Sequence, residues 1–579
     1  MSSRYEVWAP NATRRVDVEV GGSAYELARC PDRDGWWSGE APAGDYAFRL
    51  DGGPPLPDPR SPRQPYGPDG PSRAVDHAAF RWSDTGWRGR ALPGAVLYEL
   101  HVGTFTARGT FDAAAEHLDH LVELGVDFVE LMPVCPFPGK HGWGYDGVSP
   151  WAVHEPYGGP EGLKRFVDAA HRKGLGVVLD VVHNHLGPSG NHLPAYGPYF
   201  TDRHHTPWGS AVNLDAPGSD EVRAYLVGSA LAWLRDYRID GLRLDAVHAL
   251  VDDRAVHFLE ELSCEVERLA TSSNRPLFLI AESDLNTPRT TAAREAGGQG
   301  LTAQWNDDFH HALHCALTGE SQGYYADFAT APLTALAKVL RHGFFHDGTW
   351  SSFRGRSHGR PFGAGAAGHR LLGYLQTHDQ VGNRALGDRI STSLTPGRLA
   401  CGAALVLTSP FTPMLFMGEE WAAATPWQYF TDHTDPALAE AVRQGRRREF
   451  AEHGWAAEAV PDPQEPATVL RSVLDWTEPR RAPHAELLDW HRTLIGLRRA
   501  RPELADPDLG AVRVEHDEAA GWLVLHRGPY RIAVNLGPDG ALLPLGGAGR
   551  EVVAAFGAVA LEGETVRLAA DSVAVVRVG

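Results

Sequence analysis

A chain of 579 residues with a mass of 62.9 kDa is long enough for one large domain with smaller domains attached to it. Hydrophobic residues make up 43% and charged residues 22% of the chain, a composition that excludes general disorder. The formal net charge of -19 would repel polyphosphate and anionic lipid, so we expect neither a nucleic-acid partner nor a membrane partner.

The cysteines and the N-terminus indicate the compartment. The 5 cysteines are widely separated and form no C-x-x-C pair, which favours a reducing environment. The first residues lack the apolar core of a signal peptide, and no apolar stretch reaches the roughly 20 residues of a membrane helix. We therefore expect a cytoplasmic protein.

The N-terminal segment has the period of a β-sheet. Val16, Val18 and Val20 alternate with acidic residues, as in a strand with one wet face, and short strands continue to about residue 50. The stretch 51–71 is too rich in Pro and Gly for regular structure and predicts a linker. We assign residues 1–90 to an N-terminal β-sandwich of a carbohydrate-binding type, together with this linker.

Short apolar runs then alternate with helical periodicity, a pattern typical of βα units with a parallel sheet. The predicted strands are residues 96–102, 128–132, 177–182, 241–244, 277–281, 301–305, 371–375 and 413–417. Eight strands predict a closed (β/α)8 TIM barrel, an α/β fold, over residues 91–504. Later apolar runs separated by Gly and Pro predict a small antiparallel β domain over residues 505–579.

Polar residues directly after these strands are the candidates for chemistry, because such a barrel holds its active site at the strand ends. Asp245 follows the fourth strand, Glu282 the fifth and Asp379 the seventh. Each alone fits a helix cap, a turn or a solvated loop, but their joint placement favours a catalytic role. Glycoside hydrolysis requires two carboxyl groups beside the scissile bond, and Asp245 and Glu282 can supply them.

The neighbours of these acids suit that chemistry. Arg243 lies two positions before Asp245, on the same strand face, where it would keep that carboxylate ionised. Glu282 follows an apolar run, which would raise its pKa toward that of a usable acid. Aromatic residues in the same loops predict a cleft for a glucan chain: Trp143, Tyr145, Trp208, Trp305 and Trp427.

Histidines raise the alternative of a metal site. His183 and His185 would lie on one face of an extended chain, and two His-His pairs occur at 204–205 and 310–311. No H-E-x-x-H motif or cysteine set accompanies them. We therefore expect sugar contacts or packing from these histidines, with no metal and no cofactor.

The strand-end motifs resemble those of the alpha-amylase superfamily, glycoside hydrolase family 13. The matching segments are 144–146 (GYD), 180–185 (DVVHNH), 241–245 (GLRLD), 281–282 (AE) and 377–379 (THD). The resemblance implies a retaining double displacement with Asp245 as nucleophile, Glu282 as general acid and base, and Asp379 as stabiliser of the transition state. The substrate-binding residues expected from it are Tyr145, Asp180, His185, Arg243, His248, Trp305, Asp307, Asp308, His378, Gln380 and Arg384.

Within the superfamily, the chain is most similar to hydrolases that release trehalose from maltooligosaccharides ending in a trehalose unit. The similarity rests on segments 34–37, 98–105, 304–311, 375–384 and 416–421. It implies cleavage of the α-1,4 bond next to the terminal trehalose of maltooligosyltrehalose or a related α-glucan. It also implies a functional partner, a maltooligosyltrehalose synthase acting upstream. The short stretch from His185 to Asn213 argues against the structural calcium of many amylases.

Two alternatives stay open. A glycogen branching or debranching enzyme would share every catalytic residue and a similar N-terminal β domain. A glucan-binding protein without activity could use the same scaffold, although such proteins commonly lose one of the acids or carry a membrane anchor. The products formed from maltooligosyltrehalose and from α-1,6-branched glucan distinguish these functions.

Overall fold

The computed structural model describes residues 2–363, 365–451 and 459–579. Its first strands are β1 (Ser2–Trp8), β2 (Val16–Val20), β3 (Ser23–Arg29), β4 (Trp36–Pro42), β5 (Tyr46–Leu50) and β6 (Pro55–Leu56). They form an antiparallel sheet of order β1-β4-β3-β2-β5-β6.

This N-terminal sheet is folded over on itself. Tyr5 on β1 and Tyr46 on β5 have ring centroids 4.8 Å apart. Four strand spacings of a flat sheet would separate them by roughly 19 Å. The sheet is therefore folded into two layers, as a sandwich requires.

The next strands build the barrel and two hairpins. They are β7 (Leu97–Leu100), β8 (Phe128–Leu131), β9 (Gly176–Val181), β10 (Phe200–Thr206), β11 (Gly209–Val212), β12 (Gly241–Leu244), β13 (Phe278–Ala281), β14 (Ala303–Trp305), β15 (Thr349–Ser351), β16 (Arg356–His358), β17 (Leu371–Gly373) and β18 (Thr412–Phe416). Eight of them close a parallel barrel of order β12-β13-β14-β17-β18-β7-β8-β9, while β10-β11 and β15-β16 form hairpins. The barrel strands end within two residues of their predicted bounds, so the predicted fold class is confirmed.

Helices cover the outside of the barrel, which explains why every residue of its strands is buried. The helices of the described residues are α1 (Val102–Phe105), α2 (Phe111–Ala115), α3 (Leu118–Leu124), α4 (Gly159–Arg172), α5 (Leu193–Tyr196), α6 (Ser219–Asp236), α7 (Phe258–Ser273), α8 (Asp307–Thr318), α9 (Ala326–Ala329), α10 (Pro332–His342), α11 (His378–Gly382), α12 (Pro396–Leu407), α13 (Pro436–Ala451), α14 (Pro466–Arg471), α15 (His484–Ala500) and α16 (Pro502–Ala505). In α4, the buried Leu163, Phe166, Val167 and Ala170 have the spacing of one helix face. No helix in the described part of the chain has the length and apolar composition needed to cross a bilayer.

The C-terminal region is all antiparallel β. Its strands are β19 (Arg513–Asp517), β20 (Trp522–Arg527), β21 (Tyr530–Asn535), β22 (Ala541–Pro544), β23 (Gly549–Phe556), β24 (Val559–Glu562), β25 (Thr565–Leu568) and β26 (Ser572–Val578). They form sheets of order β19-β20-β21-β26-β23 and β22-β25-β24. Val524 of one sheet and Leu543 of the other belong to the same buried core, as in a small sandwich. We propose domain boundaries at residues 90/91 and 504/505.

The segment between the N-terminal sheet and the barrel is held by buried polar groups. On α4, the two ring nitrogens of His171 lie 2.7 Å from Asp84 of this segment and 2.8 Å from Asp240, which precedes β12. Trp87 stacks on the His171 ring and donates its indole N–H to Asp240. Burial lowers the pKa of His171, but its hydrogen bonds with Asp240 and Asp84 raise the pKa above its ordinary value. The segment is thus an ordered part of the barrel end where the strands begin.

Candidate active site

A cavity of about 330 Å³ opens at the end of the barrel where the strands finish. Its lining residues are Trp143, Tyr145, Asp146, His185, Trp208, Asp245, Ala246, His248, Glu282, His378, Asp379, Tyr429, Phe430 and Thr431. The three predicted catalytic acids therefore meet in one concave site, of a size that accepts a small ligand.

Arg243 is the cation around which the buried acids gather. Its Nη1 lies 2.9 and 2.8 Å from the two oxygens of Asp180 and 2.7 Å from Asp245 Oδ1. Its Nη2 lies 3.7 Å from Glu282 Oε2. Burial raises the pKa of Asp180 to about 6, although the charge of Arg243 opposes that rise. Because a guanidinium is planar and rigid, these contacts fix the acids relative to one another.

Asp245 follows β12 directly, and each of its oxygens accepts a hydrogen bond. Arg243 donates to Oδ1 at 2.7 Å and Asn184 Nδ2 donates to Oδ2 at 2.8 Å. The next residue, Ala246, has a φ of 41°, a left-handed conformation that non-glycine residues rarely adopt. This turn directs the Ala246 N–H to Glu282 Oε2. The backbone after one acid therefore holds the carboxyl group of the other.

Glu282 lies directly after β13 with its carboxyl group against Arg243. Burial raises the pKa of Glu282 to about 8, although Arg243 acts to lower it. The negative charges of Asp245, Asp379 and Asp307 add to the rise. At neutral pH this carboxyl group therefore carries a proton that it can donate, as a general acid must.

Asp379 and His378 begin the short helix α11. Thr377 caps this helix by accepting the Asp379 N–H, which fixes where both side chains point. The Asp379 side chain is 42% exposed, so it is open to a ligand in the cavity. Burial lowers the pKa of His378, but the negative charges of Glu99 and Asp379 outweigh burial and raise the pKa to about 9. A cationic imidazole thus lies beside Asp379.

The aromatic residues divide into exposed and buried sets. Trp208, in the turn between β10 and β11, is 50% exposed, and its ring lies parallel to His185 with centroids 4.4 Å apart. Trp143 lines the cavity and stacks on the fully buried Trp427. Trp305 was expected to contact substrate, but it is 3% exposed and lies 4.3 Å beneath the guanidinium carbon of Arg243. It supports that side chain and does not face the cavity.

Two further expected substrate contacts are placed elsewhere. Asp308 accepts hydrogen bonds from two backbone N–H groups, at 2.8 and 2.9 Å, and from Asn286 Nδ2 at 2.8 Å. Arg384 is held by Glu320 at 3.0 Å and by Asp388 at 2.8 Å. Neither residue lines the cavity. Both side chains already have protein partners, which favours structural roles, and their contact with substrate stays a prediction.

The remaining expected contacts lie in the cavity or next to it. Those on its wall are Tyr145, His185, His248 and His378, whereas Asp180 and Arg243 lie beneath it. Asp307 accepts a hydrogen bond from the Tyr374 hydroxyl at 2.6 Å, and Gln380 Nε2 lies 3.5 Å from the same oxygen. Asp307 adjoins the acids, because its charge contributes to the raised pKa of Glu282.

Among the described residues, the histidines at positions 183, 185, 310 and 311 belong to no group of three or more possible metal ligands. His183 packs edge-on to Phe258, and burial lowers the pKa of His183 to about 4. Within residues 2–363, 365–451 and 459–579, one group has the spacing of metal ligands, namely His204, Asp215 and Asp253. His204 lies 2.8 Å from Asp215, and Arg203 lies 3.2 Å from Asp253. These ion pairs hold the β10-β11 hairpin against the loop that follows β12.

The loop after β18 also contributes to the cavity, and the strand-end pattern does not predict this. Tyr429, Phe430 and Thr431 line the cavity together with the predicted acids. The signal was the aromatic run 427–430, of which only Trp427 was expected to contact sugar. Glu99 on β7, whose carboxyl group contacts His378, is likewise not among the predicted site residues.

Comparisons with known proteins identify the family. A model of the alpha-amylase catalytic domain matches residues 78–194, and a model of a domain of unknown function matches residues 507–575. A malto-oligosyltrehalose trehalohydrolase from Arthrobacter ramosus is 55% identical over 100% of both chains. The chain belongs to the malto-oligosyltrehalose trehalohydrolase family. A Mycobacterium tuberculosis member of this trehalohydrolase family is 52% identical over 99% of both chains.

Solved structures share the fold of this trehalohydrolase family member. A crystal structure of a candidate alpha amylase from Salmonella typhimurium has a TM-score of 0.91 and 38% identity, over 100% of this chain and 98% of that chain. A pullulanase from group B Streptococcus in complex with maltotetraose has a TM-score of 0.73 at 16% identity, over 100% of this chain and 86% of that one. The second likeness concerns the fold alone.

Proposed function

We propose that this chain is a retaining glycoside hydrolase that cleaves the α-1,4-glucosidic bond next to the terminal trehalose of maltooligosyltrehalose and releases trehalose. Membership of the trehalohydrolase family over the full chain supports this choice of substrate. One observation carries the chemistry: Asp245 and Glu282 contact the same Arg243 guanidinium, and burial keeps Glu282 protonated.

The two acids divide the reaction between them. Asp245 attacks the anomeric carbon while Glu282 passes its proton to the bond oxygen of the leaving trehalose. Glu282 then takes a proton from water, which attacks the same carbon and releases the maltooligosaccharide from Asp245. A pKa of about 8 suits both steps, because Glu282 is protonated at first and basic enough afterwards.

Other residues of the cavity hold the sugar. Asp379 and His378 line the cavity beside the acids, where the exposed carboxylate of Asp379 can accept hydrogen bonds from hydroxyl groups of the ring that is attacked. Trp208 offers an exposed flat surface, backed by His185, against which the C–H face of a glucose unit can stack. His248 is also exposed and lines the cavity, three residues after Asp245.

Product analysis tests the proposal. Purified protein is incubated with maltotriosyltrehalose, and we expect equimolar trehalose and maltotriose by chromatography. The Glu282→Gln variant should lose at least about 10² in kcat. A matched control is Glu419→Gln, since burial raises the pKa of Glu419 to about 8 outside the cavity. The control should keep full turnover.

Other products would contradict the proposal. Branched glucan formed from amylose, or linear chains released from an α-1,6-branched glucan in preference to trehalose, would support the branching or debranching alternative. Binding of maltotriosyltrehalose without turnover, and with no effect of Glu282→Gln, would support a binding protein.

We also propose a cytoplasmic location and a supply of substrate by a maltooligosyltrehalose synthase. The five cysteines of the chain are free thiols, which is consistent with a reducing compartment. The substrate already contains the terminal trehalose linkage, and hydrolysis here does not create it. A reaction that converts the end of a maltooligosaccharide into trehalose must therefore precede this one.

A further inference from the structure

Glu99 is a buried acid that has no role in the mechanism proposed above. It lies within the apolar strand β7 and is 1% exposed. Both of its oxygens contact His378, a residue 279 positions later in the chain. Oε2 accepts the backbone N–H of His378 at 3.0 Å, and Oε1 lies 2.5 Å from the ring nitrogen Nδ1.

We propose that Glu99 is a positioning residue that holds His378 as an imidazolium and fixes the backbone from which Asp379 projects. The inference rests on the proposed function, because Asp379 binds the attacked sugar there and His378 lies beside Asp379. It adds to the site a buried acid from the first barrel strand, which contacts both the backbone and the ring of His378.

The hydrogen-bond inventory of His378 supports the charged form. The Tyr145 hydroxyl has one proton, which it donates to Asp180 Oδ2 at 2.6 Å. Asp180 does not donate a proton back to the Tyr145 oxygen, because Arg243 Nη1 lies within 2.9 Å of both Asp180 oxygens and stabilises the ionised carboxylate. Tyr145 must therefore accept from His378 Nε2, which lies 2.8 Å away. With Nδ1 donating to Glu99, both ring nitrogens carry protons, and a neutral imidazole has only one.

The surroundings of His378 strengthen its contact with Glu99. The rings of Trp143, Trp305 and Trp427 lie 5.9, 5.9 and 6.2 Å from the His378 ring. Aromatic walls of this kind lower the local dielectric constant, so an ion pair within them is stronger than one in water.

The other titratable groups around His378 do not replace Glu99. Asp379, on α11, lies 3.6 Å from Nε2 and is exposed, so water screens it. Arg243 of β12 opposes the charge on His378. Burial lowers the pKa of His101, after β7, to about 3, so this ring is neutral at pH 7. Glu130 pairs with Glu99 across β7 and β8, but among the described residues neither of its oxygens has a hydrogen-bond partner, and burial raises its pKa well above the ordinary value. Burial and the neighbouring Glu99 thus disfavour a charge on Glu130.

The Glu99→Gln variant separates charge from packing. Its amide oxygen can still accept the His378 N–H, but the negative charge is lost. We expect kcat at pH 7 to fall by about 10- to 100-fold, the worth of a hydrogen bond to a charged group, with little change in KM. The alkaline fall in kcat should also begin at a lower pH, because His378 then loses its proton before Glu282 does. Glu130→Gln, in the same buried pair, is the matched control and should leave the pH profile unchanged.

The titration of His378 provides a test that needs no substrate. In protein labelled with 13C-histidine, the His378 signal is assigned with a His378→Gln variant and followed with pH. A midpoint above about 8 in the wild-type protein supports the inference. A midpoint at or below about 6.5 overturns it, even if Glu99→Gln does not fold. A folded Glu99→Gln variant with an unchanged pH profile also overturns it, whereas failure of the proposed function appears as no trehalose released by the wild-type protein.

Discussion

The guanidinium carbon of Arg243 lies 4.3 Å from the centroid of the Trp305 ring. The cation that contacts Asp180, Asp245 and Glu282 therefore rests on an aromatic face, where a planar guanidinium stacks well and an ammonium does not. The charge of Arg243 thus holds the three acids, and its planar shape allows it to stack on Trp305.

Arg243→Lys keeps the positive charge but cannot make these contacts together. One ammonium cannot reach Asp180, Asp245 and Glu282 at once, so the acids lose their common alignment. We expect kcat on maltotriosyltrehalose to fall by about 10²-fold or more, because small displacements of reacting groups have costs of this size. Steady-state kinetics measure it, with circular dichroism to verify the fold. A variant with wild-type kcat would show that charge alone suffices.

Glu282 predicts a pH dependence of activity. Its pKa is raised to about 8, so the proton donor is present below pH 8 and is lost above it. The kcat/KM should therefore fall about tenfold per pH unit on the alkaline side of the profile. Asp307→Asn removes a negative charge that raises this pKa, so it should move the alkaline limb to lower pH. A limb that moved to higher pH would contradict the electrostatic assignment.

The same pKa predicts a pH dependence of stability. The ordinary pKa of 4.5 is raised to about 8 in the folded chain, so the stabilising effect of a bound proton is complete below 4.5 and is lost as the pH rises through 8. Glu282→Gln cannot ionise. Its Tm should exceed that of the wild-type protein by a margin that grows between about pH 5 and about pH 9. Calorimetry at several pH values measures this, and a constant margin would count against it.

Asp307 and Asp308 are neighbours with different predicted roles. Asp308 accepts three hydrogen bonds, two of them from the backbone, so Asp308→Ala should reduce the free energy of unfolding by about 2 to 4 kcal/mol and leave KM nearly unchanged. Asp307→Ala should raise KM with a smaller loss of stability, because this acid adjoins the cavity. Denaturant unfolding and kinetics compare the pair. A raised KM for Asp308→Ala, with little loss of stability, would support Asp308 as a substrate contact.

Trp208 predicts an effect on binding. Its ring is half exposed and lies on His185, so Trp208→Ala removes a stacking surface while leaving the acids in place. We expect KM to rise by about tenfold, which corresponds to about 1.4 kcal/mol. Trp208→Phe keeps a flat ring, so its KM should lie between the KM values of the wild-type protein and of Trp208→Ala. Equal KM values for all three proteins would exclude Trp208 as a sugar platform.

Retention of configuration is a separate expectation. The maltotriose released from maltotriosyltrehalose should first appear as its α anomer, because two displacements at one carbon restore the starting configuration. Time-resolved proton NMR distinguishes it from the β anomer before mutarotation. Initial β product would require a single displacement and would remove Asp245 from its role as nucleophile.

The barrel and the three acids could be predicted because their signals are local. Each strand is a short apolar run that ends in a polar residue, as in 277–281 followed by Glu282. A parallel barrel then brings these ends together whatever the intervening loops contain. The strand bounds agree within two residues for that reason.

The partners of individual side chains could not be predicted in this way. Successive residues of a helix point about 100° apart, so Asp307 adjoins the cavity while Asp308 turns to the backbone of residues 345–346. Trp305 ends its strand like the acids, yet Arg243 lies over its ring. Glu99 resembles an ordinary member of an apolar strand, because its partner is 279 residues away. Such contacts depend on tertiary structure that no short pattern encodes.

The contacts of His171 with Asp84 and Asp240 have a consequence for how the chain unfolds. A polypeptide that began at residue 91 would lack Asp84 and Trp87, leaving a buried imidazole and a buried carboxylate with fewer partners. The first ninety residues and the barrel should therefore melt together in a single cooperative transition. A boundary in sequence need not be a boundary in stability.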